Sequence, residues 1–109
     1  MAYDKVLGER IRAVLSRRRG ITERRMFGGL AFMAGGHMFA GVLGKSLMAR
    51  VGPGHYDLAL KEPYVRPMDF TGKPLRGYVY VGPRALQSER QLRAWVERCL
   101  GHARSLRPK

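Results

Sequence analysis

Residues Met26 to Gly44, MFGGLAFMAGGHMFAGVLG, run for nineteen positions without a charged side chain in a chain otherwise crowded with arginine. That length approaches the roughly 20 apolar residues of a membrane-spanning helix. Six of the nineteen are glycine, and His37 sits near the middle. Glycine pairs at Gly28-Gly29 and Gly35-Gly36 oppose a helix, and no Gly-x-x-x-Gly spacing organises them for helix pairing. Hairpins fit better. Leu30 to Ala34 and Met38 to Leu43 read as short strands around a Gly35-Gly36-His37 turn, where glycine supplies positive φ. A second turn at Gly44-Lys45-Ser46 leads into Leu47 to Val51, giving a three-stranded meander. Gly44-Lys45-Ser46 also imitates the end of a phosphate-binding loop, but the glycine required five positions earlier is Phe39.

The flanks supply helices and two more strands. Tyr3 to Arg18 places Leu7, Ile11, Val14 and Leu15 on one helical stripe, with Gly20 as the stop. His55 to Lys61 reads as a short helix ended by Pro63. Arg66 to Thr71 reads as an edge strand entered through Pro67, turned by Gly72-Lys73-Pro74. Gly77 to Val81 alternates Tyr78 and Tyr80 against Val79 and Val81, the mark of a half-buried strand. The last helix opens on a capping box, Ser88 with Gln91, and runs to about Leu106. Its apolar stripe holds Leu92, Trp95, Val96, Cys99 and Leu100, which makes Trp95 a core residue. The expected fold is α+β: a two-layer sandwich with a five-stranded antiparallel sheet in the order α-β-β-β-α-β-β-α. A length of 109 residues makes it one domain, residues 1–109.

Twenty-one Lys+Arg stand against eight Asp+Glu, a formal net charge of +13. Such a surface attracts polyanions, of which nucleic acid is the commonest inside a cell; GC-rich coding bias is the alternative source of the arginines. Arg17, Arg18 and Arg19 end the first helix, and Arg24 and Arg25 follow in one short loop, so these five form the candidate nucleic-acid-binding patch. A single cysteine excludes an intramolecular disulfide, and the N-terminus lacks the apolar run of a secretory signal, so the expected location is cytoplasmic with no membrane contact.

Catalytic chemistry finds little footing. His37, His55 and His102 are far apart in sequence. Cys99 and His102 share a helix at i, i+3 spacing, but Cys99 falls on the apolar stripe, where a buried structural thiol is the ordinary reading. Asp69 stands alone between Met68 and Phe70. The expectation is therefore a protein that is not an enzyme, with no metal and no cofactor. Arg76 to Val81 begins like an RNA-binding strand whose aromatics stack on bases, but Val79 replaces the required small residue and Pro83 the last aromatic. Tyr78 and Tyr80 then read as core or rim aromatics.

Taken together, Arg25-Met26-Phe27-Gly28-Gly29, Val51-Gly52-Pro53 with Tyr56, Pro67-Met68-Asp69-Phe70-Thr71-Gly72-Lys73-Pro74, and Gly77 to Val81 with Trp95 downstream resemble the N-terminal domain of the TfoX/Sxy family. The resemblance spans Tyr3 to Lys109. It implies a two-layer α/β domain and a link to regulation of natural competence, since members of the family promote expression of DNA-uptake genes. Full-length members carry a further C-terminal helical domain, and this sequence ends before one, so a stand-alone domain is expected. Gly28-Gly29 would mark a bulge or close backbone crossing at the start of the first strand. The expected function is that of a non-enzymatic cytoplasmic regulatory or adaptor domain acting by binding, to nucleic acid or a nucleic-acid-bound protein. The alternative is a homodimeric protein–protein module whose basicity is incidental.

Overall fold

The computed structural model describes residues 3–26, 28–69, 72 and 74–107. Helix α1 (Lys5–Val14) is followed by strands β1 (Ile21–Met26), β2 (Gly29–Ala34), β3 (His37–Leu43) and β4 (Ser46–Arg50). A 3-10 turn at Pro53–His55 runs into the short helix α2 (Tyr56–Leu60). Strands β5 (Val65–Pro67) and β6 (Tyr78–Val81), a second 3-10 turn at Pro83–Leu86 and helix α3 (Glu89–Arg104) complete the chain. The strands form one antiparallel sheet in the order β1-β2-β3-β4-β6-β5.

The α+β architecture is the one expected, with six strands instead of five. The extra strand is β1, ITERRM, which carries Arg24 and Arg25 where a short loop is expected. Four consecutive exposed positions give it no apolar alternation. It is an edge strand, a place where charged side chains are common. The three strands of the meander follow as expected, and at the Gly35-Gly36 turn both residues have positive φ, 60° and 83°. His37 is the first residue of β3, not part of the turn. The register shifts between Phe32 and Met33, a bulge on β3 that turns both Phe39 and Ala40 to the helix side. No helix among the described residues is long and apolar enough to cross a membrane.

Helix α1 starts at an N-cap that periodicity alone does not reveal: Asp4 Oδ1 accepts from the backbone N–H groups of Val6 and Leu7 at 2.9 and 3.2 Å. It stops at Val14, four residues earlier than expected, so Arg17 to Arg19 follow the helix in a turn. The Ser88–Gln91 capping box of α3 is present in both directions, at 2.9 and 3.1 Å. The fifth strand is only three residues long, and Phe70, Thr71 and Lys73 of the expected strand and turn lie outside the described residues.

One face of the sheet carries the core. Leu30, Phe32, Val42, Leu47, Val79 and Val81 meet Leu7 and Ile11 of α1, Tyr56 and Ala59 of α2, and Leu92, Val96 and Cys99 of α3. Trp95 is core as expected, with 6% of its surface exposed and the Arg98 guanidinium 4.1 Å from its ring centre. No polar or charged residue is buried among those described.

Gly29 does mark a close backbone approach, at the start of β2: a Cβ there would sit 2.3 Å from the Val42 carbonyl oxygen. Gly28, at φ 77°, closes the turn before it. Gly101, on the exposed side of α3, has open space around it. Alanine at the two glycines should therefore act with opposite sign. Gly29→Ala should cost about 1–3 kcal/mol, since backbone must move. Gly101→Ala should gain up to about 1 kcal/mol from helix propensity alone. Urea denaturation midpoints of the two variants check both signs.

Candidate anion-binding surface

Arg17, Arg18 and Arg19 leave α1 fully at the surface. Packing of α1 against α3 brings them to the outer flank of the last helix. Arg18 forms an ion pair with Glu97, and Arg104 donates to the Arg19 carbonyl at 2.9 Å. These two contacts, one on each side of the turn, hold its backbone and leave Arg17 pointing at a shallow cleft of about 530 Å³ shared with Arg18 and Arg93. Arg19 and Arg104 border a second recess around the corner, against Gly35 and Leu106. Among the described residues, neither Arg17 nor Arg93 holds a carboxylate.

Arg24 and Arg25 are placed elsewhere. On β1 they alternate: Arg25 opposes Leu30 on the helix side, and Arg24 opposes Ala31 on the other. Between them and the first group stands a bidentate pair, with Arg12 Nε and Nη2 donating to Glu23 at 2.7 and 2.8 Å. That pair holds the Glu23 carboxyl below its ordinary range. Of the five arginines read from sequence, three thus share one end and two occupy the edge strand. Arg93 and Arg104 join the first three. Their exposed spacing along α3 was visible in the sequence, but not the helix–helix contact that sets them beside α1.

The remaining reactive groups have structural surroundings. Cys99 is completely buried, and loss of water pushes its thiol up to about 12, so it stays protonated and poorly nucleophilic. The histidines have structural contacts of their own. The strand-to-helix crossing at Gly52, with φ 91°, passes against the His102 ring; a Cβ at Gly52 would lie 2.5 Å from its Cε1. His102 is lowered from its ordinary value, first by burial and then by the charges of Arg50, His55 and His37. The His37 Nε2 lies 2.6 Å from the Arg107 carbonyl. No group of three His, Cys, Asp or Glu side chains suited to a metal ion occurs among the described residues. Tyr78 and Tyr80 lie on the sheet face away from the helices, with Arg50 and Arg66 stacked over them at 5.3 and 4.5 Å.

A pH dependence of stability follows. The unfolded chain protonates His102 near its ordinary 6.5, while the folded chain resists that proton. In that window the unfolded state binds more protons, so stability falls as pH drops below about 6.5. Glu23, lowered from 4.5 by Arg12, adds a second loss of stability below that value. Urea midpoints measured between pH 7.5 and 5 should decline, and His102→Gln should flatten the decline without changing the steeper loss in acid.

Comparison with known proteins accords with this architecture. No curated protein gives a significant match to the chain. The family model described as the TfoX N-terminal domain matches residues 13–103, which take in everything from the end of α1 through nearly all of α3. With the sheet, the capped last helix and the glycine crossing at Gly29 all inside that match, the chain belongs to the TfoX N-terminal domain family.

Proposed function

We propose that this regulatory-type domain is non-enzymatic and works by binding, using the cleft between the end of α1 and the flank of α3 to hold phosphates of nucleic acid or of a nucleic-acid-bound assembly. A competence-type regulatory role in the cytoplasm fits that reading. The observation that carries it is how the charges are distributed. Five of the eight carboxylates, Glu23, Asp57, Glu62, Glu89 and Glu97, are already paired with arginine. Asp4 is occupied in capping α1. The cationic excess is therefore turned outward, and Arg17 and Arg93 bring it to one concavity beside the Arg18–Glu97 pair.

The cleft lies beside the C-terminal end of α1, where the helix dipole is negative. Backbone N–H groups do not assist there, so guanidinium forks supply the affinity. The cleft is lined by guanidinium groups and not by a recognition helix, so binding should be sequence-tolerant and phosphate-dominated. The second reading, a homodimeric module, draws on β1, a six-residue edge strand that pairs on one side only.

A salt titration of duplex DNA binding tests the proposal. With about two phosphates neutralised by Arg17 and Arg93, log affinity should fall against log salt with a slope of about −2. Arg17→Ser with Arg93→Ser should reduce the slope by about 2, whereas Arg24→Ser with Arg25→Ser tests the edge strand separately. Absence of binding at low salt, with a dimer seen by light scattering, would favour the second reading.

A further inference from the structure

All five methionines after the initiator lie on the face of the sheet that the helices do not cover. In an antiparallel ladder, opposed residues share a face. The pairings Met26–Gly29, Thr22–Met33, Met33–Met38 and Gly41–Met48 therefore set four methionines on one side. Met68 packs on Met48 and Tyr80 from the loop after β5. All three helices send their buried apolar residues into the opposite cluster. Met48, Met68 and Tyr80 are buried in this second layer, while Met26, Met33, Met38, Leu43 and Tyr78 remain half-exposed above and around them.

The charge on this face is of one sign. A single row crosses all six strands, Arg24–Ala31–Gly41–Met48–Tyr80–Arg66, with an arginine at each end. Arg50 stands on the same face opposite Tyr78. The strands place no Asp or Glu there, and Asp69, beside Met68, is the neighbouring carboxylate. Methionine is the side chain best able to remould itself around a partner. The basic flanks select what that partner carries.

We propose that this face docks an acidic amphipathic helix of a partner protein, laid across the strands with its apolar stripe on the half-exposed Met26, Met33, Met38, Leu43 and Tyr78 and its carboxylates toward Arg24, Arg50 and Arg66. A second copy of the chain would bring arginines against arginines. Nucleic-acid bases would find the Tyr78 and Tyr80 rings already stacked by guanidinium groups. The row of six strands is about 24 Å across at the usual strand spacing. A helix of about 16 residues spans that distance. This surface is separate from the Arg17–Arg93 cleft and does not depend on phosphate binding there.

The test uses the intact protein with carbon-13-labelled methionine ε-methyl groups. The probe is a fluorescein-labelled 16-residue peptide with leucine at i, i+3, i+4 and i+7 spacing and glutamate elsewhere. Its lysine counterpart and single-stranded oligo-dT serve as controls. The glutamate peptide should bind and move the Met26, Met33 and Met38 methyl signals, and the lysine peptide should do neither. Arg24→Glu with Arg66→Glu, checked for an unchanged circular dichroism spectrum, should weaken the peptide at least ~5-fold. Arg17→Ser with Arg93→Ser should leave its affinity unchanged. Four results overturn the proposal: no peptide binding, binding that leaves the methyls unmoved, oligo-dT moving them in the peptide's place, or methyl shifts on simple dilution that reveal self-association.

Discussion

One-sided burial is the constraint on which the rest of this structure depends. The apolar stripe of α3, Leu92, Trp95, Val96, Cys99 and Leu100, closes against the central strands with less than a tenth of any of these residues exposed. Helix α1 docks beside it, and α2 fills the corner over β5 and β6. Burying each such aliphatic side chain contributes roughly 1.5–3 kcal/mol, and the whole stripe is collected on a single face. The polar sides of the helices must then face water, which puts Arg93, Arg98 and Arg104 outward. The other sheet face is left to methionine, tyrosine and arginine.

The charge pattern follows from the same layering. Carboxylates are few, and three of the paired ones tie packed segments together: Glu23 of β1 to Arg12 of α1, Glu97 of α3 to Arg18, and Glu62 after α2 to Arg98 of α3. Exposed pairs of this kind are individually weak. Their larger effect is to use up negative charge inside the structure, so that the excess arginines meet the solvent unopposed at the α1–α3 cleft and at the ends of the sheet.

Much of this was legible in the residues. The Gly35-Gly36 pair announced its hairpin, the Ser88–Gln91 box announced α3, and the alternation of Tyr78 to Val81 announced β6, because each is a local signal with a short-range cause. Strand β1 was not legible, since an edge strand with four exposed polar residues has no alternation to read. The end of α1 was set too late because Leu15 continues the apolar stripe while the backbone has already turned. The site was legible only in part. Arg17 to Arg19 could be found as a run, but their separation from Arg24 and Arg25, and their company with Arg93, depend on how β1 reverses along α1 and how the two helices pack. The contact of His102 with the Gly52 crossing likewise arises from tertiary packing and leaves no trace in spacing.

The central claim is that the helix-covered face of the sheet holds the main core and that the other face, outside the small Met48–Met68–Tyr80 cluster, is left for contact. Leu47 and Leu43 allow it to be tested with one and the same substitution, for they lie on opposite faces of neighbouring strands, the first with none of its surface exposed and the second half-exposed. Urea denaturation of Leu47→Ala and Leu43→Ala is the direct measurement. The account predicts a loss of about 2–5 kcal/mol for Leu47→Ala. For Leu43→Ala it predicts a loss of no more than about 1 kcal/mol. Equal losses would contradict it, because the face assigned to a partner would then be part of the core.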